Sequence, residues 1–401
     1  MLTILSAIVV LGLLIFVHEL GHFLVAKASG IAVESFAIGF GPKIWSWRRG
    51  EVEYRINWLP LGGYVKIAGE MPEENLRSLS DDNSSETTSI AETATPVQTH
   101  DPKRLFCNQP RLKQALVLSA GIFFNFLFAW LIYSCVFTAG VTASTAGFES
   151  YADHLSNPRV MVTYIFPDSV AAKAGLQAGD IVEAVSNQVS TANTPGQVSM
   201  TTTVTFAPTV NAIQSLVNNS AGGTINLEYR RGSIERTVAL KPQAGLFTPG
   251  KYAIGVGMDS VADLRLPPLL AVDEGFRYTV TIIRETVIGL YSLVANIFHG
   301  TPDWNEVAGP VGIAGIVGNA AALGWSYLAM ITAIISINLG VVNLIPFPAL
   351  DGGRLFILGL ESLARRSLPA KLTNYINMIG FFLLMILMIF LTWRDIAKLI
   401  K

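Results

Sequence analysis

Long apolar runs separated by polar stretches set the plan of this chain. Runs at residues 1–25, 114–139, 324–348 and 374–394 are each near the ~20 residues that a helix needs to cross a ~30 Å hydrocarbon core, so four membrane spans are predicted. A fifth run, Gly275 to Phe298, carries Arg284 and Glu285 near its middle. Each charge at a span centre costs roughly 2.5–3.5 kcal/mol on insertion scales, and the uncharged remainder from Thr286 is too short to cross. The region 262–323 is therefore predicted to be amphipathic and to lie on the membrane surface.

Between the runs the pattern changes period. Residues 26–71 hold Phe40-Gly41-Pro42, an alternation through Val52 to Trp58, and Leu61-Gly62-Gly63-Tyr64-Val65, the punctuation of short strands and turns. Residues 72–113 form a linker whose part from Pro72 to Pro102 has no aromatics and reads as disordered. Residues 160–245 predict one α+β domain: a strand at Val160 to Phe166, a short helix at Ser169 to Ala174, a strand near Ile181, a helix from about Val210 to Val217, and a hairpin turning at Arg231-Gly232-Ser233. Its Ser- and Thr-rich stretch from Ser190 to Thr209 reads as an insertion, and residues 349–373 form a further loop. The fold class is thus an α-helical polytopic membrane protein with four transmembrane helices, a β region and an inserted α+β domain.

Composition agrees: 51% of the 401 residues are hydrophobic and only 14% are charged. The net charge of −1 and the lack of a basic stripe exclude a nucleic-acid reading. Cys107 and Cys135 have neither disulfide nor metal-ligand spacing. Ala26-Lys27-Ala28 has the form of a signal-peptide cleavage site, but no basic segment precedes the first run, which is read as a retained span. Eleven Lys or Arg lie between the first two spans, among them Arg48, Arg49, Lys103 and Arg104, so this loop is placed in the cytoplasm. The amino terminus and the α+β domain are then outside. Arg354, Arg365 and Arg366 fall inside, in agreement, and the tail with Arg394 and Lys398 falls outside against the rule.

The chemistry sits in the first run, as His18-Glu19-Leu20-Gly21-His22. Positions four apart share a helix face about 6 Å apart along the axis, so both imidazoles can grip one metal with the carboxylate beside it. The spacing suits Zn2+, with Glu19 as the general base toward a water that the metal acidifies. Ionisable groups beside so apolar a run are costly unless functional. A catalytic zinc takes three protein ligands, and the third is sought in Asn343-Leu344-Ile345-Pro346-Phe347-Pro348-Ala349-Leu350-Asp351-Gly352-Gly353. There Pro346 and Pro348 break the third span, irregular backbone at membrane depth needs a cavity, and Asp351 is the candidate.

Together with Phe36 to Pro42, Leu59 to Lys66 and Gly309-Pro310-Val311-Gly312, these motifs resemble the site-2 protease family of intramembrane zinc metalloproteases, closest to the bacterial regulator of sigma-E protease branch. The resemblance implies that His18, His22 and Asp351 bind zinc, Glu19 is catalytic and Asn343 bonds the substrate backbone. It also implies that the α+β domain is PDZ-like and that residues 33–68 are a membrane-associated β-hairpin whose edge, at Gly62 and Gly63, holds an unwound substrate. Gly121 and Asn125 match the family's Gly-x-x-x-Asn pattern in the second span, which implies that Asn125 faces the active site as a substrate-binding residue; a packing role for a transmembrane Asn is the alternative. The implied partners are single-pass membrane proteins, such as a trimmed anti-sigma factor or remnant signal peptides, within the lipid bilayer of a bacterial cytoplasmic (inner) membrane, with no nucleic acid. The rival readings are an inactive PDZ-bearing binding protein, against which Glu19 argues, and a metal transporter, which would need more polar residues along the spans.

Overall fold

The computed structural model describes residues 2–70, 101–166, 168–192, 198–206, 208–245, 250–301, 307–366 and 368–400. In chain order the first elements are α1 (Leu2–Ala28), β1 (Val33–Arg49), β2 (Val52–Ile67) and α2 (Arg111–Ala139). Next come β3 (Val141–Ser144), β4 (Leu155–Ile165), α3 (Val170–Lys173), β5 (Ile181–Ala192), β6 (Val198–Phe206), α4 (Val210–Asn219), β7 (Ile225–Arg231), β8 (Ile234–Leu240), β9 (Gln243–Ala244), β10 (Tyr252–Ala253) and β11 (Val256–Leu264). The chain closes with α5 (Pro268–Phe298), α6 (Pro310–Leu323), α7 (Trp325–Leu344), α8 (Asp351–Ala364) and α9 (Ala370–Ile400). They form two compact units, residues 1–135 with 269–401, and residues 136–268.

The first unit is a helix bundle with a small sheet. Five described helices, α1, α2, α5, α7 and α9, are long and apolar enough to cross a membrane. Their outward faces are apolar, with Ile379, Phe382, Ile386 and Ile389 of α9 all exposed, as a lipid-facing surface requires. α1 ends in a Schellman-type cap: Gly30 takes a φ of 77°, Ile31 N–H donates to Ala26 O at 3.0 Å, and the chain turns straight into β1.

β1 and β2 do not form a flat hairpin. Residues 33–38 pair on one side with 63–67 and on the other with 53–56, and residues 43–49 return to pair with 52–57. The sheet therefore curls into four segments, and 63–67 is an edge. Phe36, Val52 and Ile67 pack from this sheet onto Phe23 and Ala26 of α1, Val117 and Leu118 of α2 and Leu358 of α8.

Two boundaries differ from expectation here. The linker predicted over 72–113 ends earlier: residues 72–100 lie outside the described residues, whereas Phe106 is buried in this core and its N–H donates to Ala68 O at 2.8 Å. The region 262–323 is not one amphipathic surface segment. Residues 262–264 belong to β11, and α6 packs Val317 into a core with Ala7, Val10 and Leu14 of α1. Its small residues explain this, because Gly318 lies against Thr3, where a Cβ would stand 2.8 Å from Thr3 Cβ. α5 forms one continuous helix of 31 residues, longer than the predicted uncharged run, and it counts among the helices long and apolar enough to cross a membrane.

The second unit is built on a sheet of order β3-β11-β4-β5-β7-β8, with β6 paired to β5. Val160, Val162, Val182, Val185, Leu227 and Tyr229 bury one face against Ala171 of α3 and Ile213 and Val217 of α4. The predicted domain of 160–245 is thus too short, because β3 and β11 complete its sheet. The predicted insertion is a hairpin: β5 runs on to Ala192 and β6 returns with Ala184↔Phe206 to Ala192↔Val198 in register, residues 193–197 lying outside the described residues. Leu266 N–H donates to Phe137 O at 2.8 Å, so the chain enters and leaves this unit at one point.

Candidate metal centre

α1 carries His18 and His22 one turn apart, with their ring centroids 4.8 Å apart and edge to face. Asp351 approaches from the start of α8. α7 stops at Leu344 because Pro346 and Pro348 cannot continue it. The loop then tightens, with Phe347 N–H on Ile345 O at 2.7 Å and Ala349 forced to a φ of 72°. α9 braces it: Asn377 Oδ1 accepts the Ala349 N–H at 3.4 Å, and Gly380 leaves room for Pro348. Gly352 and Gly353 have no alternative, since a Cβ on Gly353 would stand 2.7 Å from Phe347 C. Ion pairs of Arg354 with Glu70 and of Arg111 with Glu361 at 3.1 Å hold α8 against the sheet and α2.

The result is a tight triangle of ligand atoms. His18 Nε2 and His22 Nε2 are 3.2 Å apart, and Asp351 Oδ2 lies 3.0 Å from the first and 3.2 Å from the second. Tetrahedral zinc with bonds of about 2.0 Å has ligand–ligand edges of about 3.3 Å, so the donor set fits that ion. Both histidines are buried, and Asp351 Oδ2 has no hydrogen-bond partner beyond the two nitrogens that face it. Among the described residues these three form the one cluster of His, Cys, Asp or Glu able to hold a metal. Two carboxylates, Asp351 and Glu19, at so buried a site call for a dication as counter-charge.

The remaining predicted site residues are distributed around this triangle. Glu19 lies beside it, and its Oε2 accepts the Val65 N–H at 3.0 Å. His18, Glu19, Asn343 and Asp351 line one cavity of ≈ 260 Å³ with Ile15, Leu339, Ala349 and Leu350. Gly63 is buried against Ala37 O, close enough to Glu19 that an added Cβ would stand 3.6 Å from its Cγ. Gly62 takes a φ of 112° and packs against the Phe40 ring. Asn125 departs from the expectation of substrate contact: it is fully buried, and its side-chain amide lies 3.1 Å from His18 Nδ1.

Sequence reasoning missed two contributors because both act through the backbone. Val117 O accepts from His22 Nδ1 at 2.8 Å, and the Val65 N–H donates to Glu19 Oε2. The spacing of Val117, Gly121 and Asn125, each four residues from the next, is the one sequence signal that could have marked their shared helix face.

Comparison with known proteins gives the same centre a lineage. The profile of peptidase family M50 matches residues 6–387. A protein of Clostridium perfringens named for zinc metalloprotease activity is 33% identical over 98% of this chain and 98% of its own length. One from a Nostoc species with the same kind of name is 32% identical over 99% and 97%, and the zinc metalloprotease RasP of Geobacillus kaustophilus is 30% identical over 99% and 98%. With a donor set shaped for zinc and a match running nearly end to end, the chain belongs to peptidase family M50, the site-2 zinc metalloproteases.

Proposed function

We propose that this protein is an intramembrane endopeptidase that hydrolyses a peptide bond in or beside a transmembrane segment of another membrane protein. The observation that carries the reading is that His18, Glu19 and Asp351 line one cavity, with His18, Glu19 and His22 on a helix apolar enough to span the bilayer. Bound zinc supplies Lewis acidity to a water and to the scissile carbonyl. Glu19 takes the proton of the attacking water and delivers it to the leaving amine. Asn343 faces the same cavity and offers its amide to the substrate backbone, and Ile15, Leu339 and Leu350 suit an apolar substrate side chain. Edge segment 63–67 runs past Glu19 and offers strand pairing to a chain that has unwound.

The arrangement of helices supports four crossings with both termini outside. α6 touches α1 near its start, at Thr3, and α9 near its end, where Asp395 Oδ2 accepts the Gly312 N–H at 2.7 Å. Gly312 and Gly318 are about 9 Å apart along a helix axis, so the two chain ends share one side of the bundle. Chain ends on one side agree with an even number of crossings, which we assign to α1, α2, α7 and α9, with α5 on the surface. His18 is fifteen residues beyond Thr3, about 22 Å deeper, which favours an active site toward the cytoplasmic face of a bacterial inner membrane. Anti-sigma factors already trimmed outside, or remnant signal peptides, fit as substrates, and the second unit fits a PDZ-like filter.

The test is reconstitution of the zinc-loaded protein in liposomes with a single-pass substrate. Cleavage within the span by the wild type but not by Glu19→Gln is expected. Zinc binding without cleavage of any span would favour the inactive binding protein.

A further inference from the structure

We infer that Asn125 is a positioning residue that fixes the tautomer of His18, working with Val117 as one template on α2. A histidine that ligates through Nε2 must carry its proton on Nδ1, and that N–H needs an acceptor. For His22 the acceptor is unambiguous, because Nδ1 faces the Val117 carbonyl at 2.8 Å. For His18 the group within reach of Nδ1 is the Asn125 amide at 3.1 Å, drawn with its nitrogen toward the ring. That orientation puts the proton on Nε2, the atom 3.0 Å from Asp351 Oδ2, and would close the nitrogen to a metal. The two ends of an amide are assigned from their partners, and Asn125 Oδ1 has no partner that holds it away. Turned through 180°, Oδ1 accepts the Nδ1–H and leaves the Nε2 lone pair aimed at the ligand triangle.

The backbone places the amide for this task. Ser336 Oγ donates to Asn125 O at 2.8 Å, tying this turn of α2 to α7. Gly121 sits between the two acceptors, and a Cβ there would stand 2.7 Å from His18 Cε1 and would also meet His22 Nε2. Val117, Gly121 and Asn125 thus present, turn by turn, a carbonyl, a gap and an amide to the two rings.

The inference rests on the zinc site proposed above, and its test reads metal affinity, by chelator competition on the purified full-length protein. Asn125→Leu keeps volume but has no acceptor, and a loss of roughly 10- to 100-fold in zinc affinity is expected. Asn125→Asp keeps an oxygen facing Nδ1 and is expected to stay within a few-fold of wild type. A packing role predicts the opposite order, because Leu is apolar and Asp is a buried charge. Wild-type affinity in Asn125→Leu, or equal losses in both variants, overturns the inference. If Asn125→Leu is not recovered folded, Asn125→Ala replaces it with the same expectation. Wild-type protein that binds no zinc would sink the metal-site reading instead.

Discussion

The main-chain N–H of Val65 donates to Glu19 Oε2 at 3.0 Å, so the edge of the small sheet and the metal-binding helix meet at the group proposed as the base. Val65 pairs with Phe36 inside the sheet, yet this N–H is spent on the helix. On the proposed function, the contact couples the segment offered to substrate with the residue that would handle its proton. Replacing Val65 by Pro removes the donor on an edge strand, where proline is tolerated. A fall in kcat of about tenfold is expected from one charge-assisted bond, at unchanged zinc content. Unchanged kcat would mean that the bond does not position Glu19.

Glu19→Gln keeps an oxygen for the Val65 N–H and touches no ligand. Zinc content by elemental analysis should equal wild type while cleavage falls by at least about a hundredfold, the usual contribution of a general base. Retained turnover would assign the base elsewhere.

Asp351→Ala removes the oxygen shared by His18 and His22 and should lower zinc occupancy sharply, whereas Asp351→Glu retains part of it because the longer carboxylate can still reach. The metal content of purified Asp351→Ala decides this, and wild-type occupancy would remove Asp351 from the ligand set.

The second unit should be separable from the chemistry. Its sheet includes β3 and β11, so an excision must take residues 141–264, and the Leu266–Phe137 hydrogen bond brings the cut ends together for a short linker. If the unit filters substrates by the size of their outer parts, excision should raise cleavage of an untrimmed substrate. Lower cleavage would show recruitment instead.

Asp263 gives the same unit an acid-sensitive joint. Arg159, at 2.7 Å, holds its carboxyl down at about 2, with Asn157 and Thr142 adding hydrogen bonds. Since the folded value lies below the ordinary one near 3.8, its contribution is present above about pH 4 and is lost as pH falls toward 2. Thermal melting of Asp263→Asn should therefore lie below wild type at pH 6 and converge with it near pH 2. A constant difference would mean that the pair does not carry the pH dependence.

Much of this protein follows from local pattern. The length of α1, α2, α7 and α9 is set by runs of apolar residues, and the spacing of His18, Glu19 and His22 follows from 3.6 residues per turn. Asp351 was legible because two prolines at a span end demand a cavity and the zinc lacked a ligand. The pairing of 33–38 with two partners was not legible, since strand register depends on which residues find each other across the fold. Nor was the burial of α6, whose composition suits a surface or an interior equally until Gly318 meets Thr3. The roles of Val65 and Val117 carry no side-chain signature at all, because every residue but proline has the same N–H and every residue the same carbonyl. Only packing decides which of them faces a histidine or a carboxylate, and the amide of Asn125 meets His18, 107 residues away, only because of how α2 lies on α1.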